Sequence, residues 1–125
     1  TMQKKIDIAE KIIFVLIGVI ITLFVVALVT THDTAPIVRA NEYLDAIPMS
    51  FPELVDQLAY EFTYDDAIYG ASNCGADWNV EAGRCAEEYI AKNGDVPRAL
   101  LAAELMIKGF TADQAEFACD YVGVD

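Results

Sequence analysis

Basic side chains are scarce in this sequence, which has 8 Lys and Arg against 20 Asp and Glu and a formal net charge of −12. After Thr31 the chain has 5 basic and 18 acidic residues, so that part carries a charge of −13. A protein that binds nucleic acid needs lysine and arginine side chains that contact phosphates. The composition therefore excludes nucleic acid as a partner. The acidity serves solubility or attracts a basic partner, and the charge alone leaves both open.

Histidine is almost missing too, because His32 is the single one. Adjacent acids such as Glu87 and Glu88 diverge by about 100° on a helix, so they do not converge on one substrate. The segment from Asp77 to Glu88 has the acidic spacing of a calcium loop, but Ala82 stands where such a loop has glycine. We therefore expect no enzyme activity, no cofactor, no metal ion and no small-molecule substrate.

Charged residues are absent from positions 12–29. A helix of that length rises about 27 Å, which is enough to cross the hydrocarbon core of a bilayer. A cleaved signal peptide is the alternative, but its apolar region has only about 7–15 residues. Lys4, Lys5 and Lys11 precede the run, so the positive-inside rule predicts a cytoplasmic N-terminus and an extracytoplasmic C-terminal part. The predicted layout of this single-pass cell-membrane protein is a cytoplasmic segment 1–11, a transmembrane helix 12–31 and a spacer 32–36.

The remainder of the chain repeats itself with a period of about 46–48 residues. The pattern AxxYL recurs as AxxYI, and the patterns LxxxL and FTxDxA recur unchanged, in the same order and with one slip at Gly109. Apolar residues are spaced by three and four, and no stretch alternates long enough to form a strand. The sequence thus predicts an all-α fold, with an N-terminal transmembrane helix followed by two tandem three-helix, helix-turn-helix-like repeats over 37–79 and 80–125.

Capping signals and prolines predict the helix boundaries. Ser50 and Glu53 have the spacing of a capping box, Thr63 can cap the following helix, and Pro52 suits a first turn. The predicted helices cover about 37–47, 51–60, 64–74, 80–92, 97–108 and 112–122. The predicted core consists of Tyr43, Leu54, Leu58, Trp78, Tyr89, Leu101, Leu105 and Phe110.

A partner-binding surface is predicted on the first repeat. Tyr60 and Tyr64 fall off the apolar stripe, and the sequence leaves open whether they are buried or exposed. Exposed aromatic side chains in an acidic field suit protein recognition. The candidate residues are Glu53, Asp56, Tyr60, Tyr64, Asp65 and Asp66.

Two strings resemble tandem repeats of the host cell surface-exposed lipoprotein (Ltp) family: ANEYLDAIPMSFPELVDQLAYEFTYDDAIYGASNCGADWN and CAEEYIAKNGDVPRALLAAELMIKGFTADQAEFACDYVGVD. The resemblance covers about residues 37–125, with a transmembrane helix in place of the family's lipid anchor. It implies a prophage or phage protein of the superinfection-exclusion type, which blocks DNA injection by an incoming phage. The implied partner is a basic segment of that phage's injection machinery, such as the tape measure protein. The alternative is a bacterial envelope module that binds a host protein or a cell-wall component.

Three cysteines, Cys74, Cys85 and Cys119, follow the apolar run, on the side where oxidation is permitted. Cys74 ends one predicted helix and Cys85 lies about two turns into the next. An antiparallel hairpin would bring their Cα atoms within the roughly 4.4–6.8 Å that a disulfide needs, and repeats of the resembling family carry both positions together. We therefore expect a Cys74–Cys85 disulfide, with Cys119 left over.

Overall fold

A computed structural model describes residues 1–30 and 33–125, and the side chains of these residues except 28–30. The predicted segment boundary at Thr31 and His32 lies outside the described residues. Those described form seven α-helices and no strand, which confirms the predicted all-α class. The chain divides into two compact units, Thr1–Asp33 and Thr34–Asp125, and each is described by itself.

Helix α1 runs over Met2–Thr30, so residues 2–11 continue the predicted span as one helix. Every side chain from residue 2 to 27 is exposed, including Phe14 and Leu23. The Thr22 hydroxyl donates to the Gly18 carbonyl oxygen at 2.8 Å, so this polar group is satisfied inside the helix, as an apolar environment requires. Helix α1 is long and apolar enough to cross a membrane. A signal sequence has the same properties, so the membrane topology stays a prediction.

The first three-helix unit consists of α2 (Ala35–Ala46), α3 (Phe51–Leu58) and α4 (Tyr64–Asn73). The predicted capping box opens α3, because Ser50 and Glu53 each accept the other's backbone N–H. Thr63 caps α4. Helix α4 packs against both α2 and α3. The core between them holds Ala40, Leu44, Leu54, Val55, Leu58, Ala67 and Ala71.

The second unit consists of α5 (Trp78–Asn93), α6 (Arg98–Ile107) and α7 (Ala112–Val122). Asp77 caps α5, because its carboxylate accepts the N–H groups of Asn79 and Val80. The segment with calcium-like spacing is therefore the start of a helix. Helix α7 packs against α5 and α6. The second core holds Ala82, Cys85, Ala86, Leu101, Leu105, Phe110, Ala115, Ala118 and Cys119.

Leucines at matched positions of the repeat anchor both cores. Leu54, Leu58, Leu101 and Leu105 are at most 1% exposed. Burying a leucine side chain contributes about 1.5–3 kcal/mol, so these four residues are a major source of stability. Phe110 is buried as predicted. The three other predicted core residues, Tyr43, Trp78 and Tyr89, are half-buried and pack at the edges of the cores.

The two three-helix units meet where α3 begins and α6 ends. The buried Ser50 donates its hydroxyl to the Lys108 carbonyl oxygen at 2.6 Å. Gly109 lies against this contact with φ of +108°, a conformation that favours glycine. The slip in the repeat falls on Gly109, so this glycine accommodates the extra residue. The Phe51 and Trp78 rings meet edge to face, with centroids 5.5 Å apart. Trp78 thus packs on the first core, although it opens a helix of the second unit.

The predicted Cys74–Cys85 disulfide is wrong in this structure, where all three cysteines are free thiols. The pairing required α4 and α5 to form an antiparallel hairpin. Helix α4 instead packs on α2 and α3, and α5 packs on α7. Cys74 therefore lies beside the first core and Cys85 inside the second. Burial raises the pKa of the Cys85 thiol to about 12, so this group is neutral at pH 7.

Candidate partner-binding surface

The candidate residues lie on α3, on the turn that follows it and on the first turn of α4. Helix α3 points its apolar side chains into the core, which leaves Asp56 on the outside. Tyr60 is 86% exposed and Tyr64 is 64% exposed, which answers the question that the sequence left open. We call the surface formed by Asp56, Tyr60, Tyr64, Asp65 and Asp66 the α3–α4 corner.

Asp56 separates two shallow grooves at this corner. One groove, of about 210 Å³, runs past Tyr64 and is lined by Phe51, Val55 and Ile68. The other, of about 290 Å³, runs past Tyr60, and its walls include Ile47, Met49, Glu88 and Lys108. Each groove has the Asp56 side chain at its edge and a tyrosine in its wall. A peptide laid across the corner would meet a carboxylate between two partly apolar depressions.

The negative charge of the corner is not neutralised by the lysine and arginine side chains of residues 34–125. Within the described residues, Asp56, Asp65 and Asp66 form no ion pair. Asp65 and Asp66 lie in the first turn of α4, where the helix dipole stabilises negative charge. Four of the five basic residues in 34–125 pair with acids elsewhere: Arg39, Arg84, Arg98 and Lys108. The three carboxylates are therefore available to a basic partner.

Glu53 differs from the other candidates, because its carboxylate is engaged in the structure. It accepts the Ser50 N–H at 3.2 Å and pairs with the Lys108 ammonium at 3.3 Å. The first contact starts α3 and the second joins the two three-helix units. Glu53 lines the Tyr60 groove together with Asp56, but its charge is already paired, and a substitution there would disturb a cap as well as a charge.

Comparisons of the chain with protein-family models, with curated proteins and with solved structures give no match.

The apolar side chains of the Tyr64 groove were not among the predicted site residues. Phe51, Val55 and Ile68 belong to the apolar stripes of their helices, and the sequence pattern assigns such residues to the core. Val55 is 4% exposed, whereas Phe51 and Ile68 are half-buried. Phe51 and Ile68 could have been found from the sequence, because they lie at the edge of the apolar stripe, next to residues that the pattern places outside the core.

Proposed function

We propose that the chain is a membrane-anchored, extracytoplasmic protein-binding module of phage or prophage origin, which blocks DNA injection by an incoming phage. The phage role is supported by the resemblance of residues 37–125 to Ltp repeats. The binding role is supported by the α3–α4 corner, where two exposed tyrosines flank unpaired carboxylates. A corner of this kind suits a basic protein segment, such as one from the tape measure protein. Obstruction of injection by binding needs no catalytic group and no cofactor.

Electrostatic attraction at an exposed corner acts mainly on the rate of capture. Complementary charges steer a partner during its diffusional approach, and salt screens them over about 8 Å at physiological ionic strength. The exposed tyrosine rings then supply contact area after the encounter. Binding of a basic segment is therefore expected to weaken as salt rises. An association rate that does not change with salt would remove the acidic residues from the proposed mechanism.

The proposed topology places residues 1–11 in the cytoplasm and residues 33–125 outside, because Lys4, Lys5 and Lys11 precede the apolar run. The test introduces a cysteine at the exposed position Ala112 and labels spheroplasts with a membrane-impermeant thiol reagent. Labelling before lysis is expected for Ala112→Cys, and labelling only after lysis for the matched control Gln3→Cys. The wild type gives the background from the native cysteines. The reverse pattern would overturn the topology.

The functional test expresses the full chain in a phage-sensitive host and measures phage adsorption and DNA injection separately. Normal adsorption with reduced injection is the expected result. Deletion of residues 1–31 is expected to remove protection, because the module is no longer held at the envelope. Replacement of α1 by an unrelated single-pass anchor of the same orientation is expected to keep it. Unchanged injection across a broad phage panel would favour the alternative, an envelope module that binds a host protein or a wall component.

A further inference from the structure

The repeat provides an internal comparison between the first two helices of each unit. In the first unit, Arg39 on α2 bridges to the turn that follows α3. Its guanidinium pairs with Glu42 at 2.9 Å and with Glu61 at 2.8 Å. The same group lies over the Tyr43 ring, with the Cζ atom 4.2 Å from the ring centroid, and donates to the Tyr43 hydroxyl. Two carboxylates and one aromatic face therefore hold one arginine side chain.

The second unit keeps the glutamate and the tyrosine of this arrangement but has no arginine between them. The offset of 46 residues that matches the two tyrosines places Cys85 where the first unit has Arg39. Glu88 and Tyr89 then take the places of the first unit's glutamate and tyrosine. Because cysteine is much shorter than arginine, a cleft of about 580 Å³ lies between α5 and α6. Buried Cys85 and Leu105 form its floor, and Glu88, Tyr89 and Glu104 stand around it.

The charges around this α5–α6 cleft leave its carboxylates accessible to a cation. At the offset of 47 residues that matches the buried leucines, Lys108 corresponds to Glu61 of the first unit, and its charge is paired with Glu53 at 3.3 Å. Within residues 33–125, the Glu88 and Glu104 carboxylates form no ion pair. Lys92 is an opposing charge on the rim. The cleft thus has two unpaired carboxylates, Glu88 and Glu104, beside the Tyr89 ring. Glu88 and Tyr89 match residues that hold Arg39 in the first unit, and Glu104 supplies the second carboxylate from a different position of the repeat.

We propose that the α5–α6 cleft binds an arginine side chain of a basic partner segment, as the first unit binds its own Arg39. Glu88 and Glu104 pair with the incoming guanidinium, the Tyr89 ring stacks against it, and the apolar floor contacts its methylene groups. Arginine is preferred to lysine, because a planar group can stack on a ring and pair with carboxylates at the same time.

The cleft is continuous with the surface described above, because Glu88 and Lys108 also line the Tyr60 groove. One extended basic segment can therefore reach both the α3–α4 corner and the α5–α6 cleft. The assignment of a basic partner rests on the proposed function. The arginine site itself follows from the comparison of the two three-helix units and does not depend on a phage.

The test uses the full chain in detergent micelles and short glycine–serine peptides with one central arginine, lysine or citrulline. Citrulline keeps the shape of arginine without its charge. Binding is followed by NMR, which suits dissociation constants of about a millimolar. The arginine peptide is expected to shift the amide signals of Glu88 and Tyr89 and to bind about tenfold more tightly than the citrulline peptide.

Substitutions around the cleft give the second arm of the test. Glu88→Gln and Glu104→Gln are each expected to weaken arginine binding about two- to fivefold, as for other exposed ion pairs. Glu87→Gln is the matched control, because Glu87 is an exposed acid on the same helix that does not line the cleft. Lys92→Gln is expected to strengthen binding. Cys85→Arg puts an arginine of the chain itself at the position of Arg39 and is expected to abolish peptide binding.

Equal affinity for the arginine, lysine and citrulline peptides would overturn the assignment, as would equal losses in Glu87→Gln and Glu88→Gln. If Cys85→Arg does not fold, the comparison of Glu88→Gln and Glu104→Gln with Glu87→Gln decides. The peptide assay contains no phage. A cleft that does not bind arginine therefore leaves the DNA-injection proposal intact, and a chain that gives no protection leaves the cleft assignment intact.

Discussion

Replacing Gly109 by alanine tests the contact that joins the two three-helix units. At φ of +108°, an alanine is strained whatever space it has, at a cost of about 1–3 kcal/mol. Its Cβ would also come within 2.8 Å of the Ser50 Oγ atom. The Ser50 hydroxyl would then have to leave the Lys108 carbonyl, and it also caps α3. Because loss of a cap costs about 0.5–2 kcal/mol, we expect Gly109→Ala to lower the free energy of unfolding by about 2–4 kcal/mol.

Gly94→Ala is the matched control for backbone strain. Gly94 has φ of +77°, and a Cβ added there would meet no atom within 4 Å. With ψ of −167° its backbone lies in a region essentially confined to glycine, so the substitution is expected to cost about 1–3 kcal/mol, as the backbone strain at Gly109 does. Gly109→Ala additionally disturbs the Ser50 contact and cap, at about 0.5–2 kcal/mol. Since about 1 kcal/mol shifts the Tm of a domain of this size by roughly 4–8 °C, Gly109→Ala is expected to melt about 2–16 °C below Gly94→Ala.

The assay heats the full chain in lipid nanodiscs and follows the fluorescence of Trp78, the single tryptophan of the chain. Trp78 contacts Phe51 where the two units meet, so its emission reports the loss of this contact. Circular dichroism before heating checks that the helical content of each variant is unchanged. Equal melting of the Gly94→Ala and Gly109→Ala proteins would refute the close contact between Ser50 and Gly109.

Three further predictions concern thiols, pH and core packing. When the protein is unfolded without a reductant, a chromogenic thiol reagent is expected to detect three free thiols per chain. Detection of a single free thiol would show that two of the cysteines form a disulfide. Hydrogen bonds from Arg39 and Tyr43 hold the pKa of Glu61 below 4.5. Its carboxylate therefore stabilises the fold above pH 4.5, and this stabilisation is lost as the pH falls through the lowered pKa. The difference in unfolding free energy between the wild type and Glu61→Gln, measured by denaturant titration, is expected to shrink in acid. A difference that does not change with pH would contradict this. Leu105→Ala, at a site 1% exposed, is expected to cost about 3–5 kcal/mol by urea unfolding, and a cost under about 1 kcal/mol would contradict the second core.

Features that depend on near neighbours in sequence were predictable. The caps at Ser50, Thr63 and Thr111 each involve a residue three positions away, so capping patterns place the helix starts. The six predicted helices after α1 begin and end within two residues of those in the structure. The repeat likewise indicated the buried leucines, because matched positions carry the same apolar residue.

Features that depend on distant parts of the chain were not predictable in the same way. The Cys74–Cys85 pairing failed because it required a choice of packing partners for α4 and α5, and local patterns do not encode that choice. Ser50 showed only its local capping role, although it also contacts Lys108, 58 residues away. Glu53 entered the candidate site as a free acid for the same reason. Its partner Lys108 lies 55 residues further along the chain.

The central claim is that the acidic α3–α4 corner captures a basic segment at the envelope, and DNA injection in cells expressing charge variants tests it most directly. The corner variant carries Asp56→Asn, Asp65→Asn and Asp66→Asn. The control variant carries Asp45→Asn, Glu87→Gln and Asp113→Asn, which remove three other exposed acids that form no ion pair within the described residues. Asp113 lies in the first turn of α7, as Asp65 and Asp66 lie in the first turn of α4. At equal amounts in the membrane, we expect the corner variant to lose protection against injection while the control variant keeps it. Full protection by the corner variant, or an equal loss in both variants, would contradict the claim.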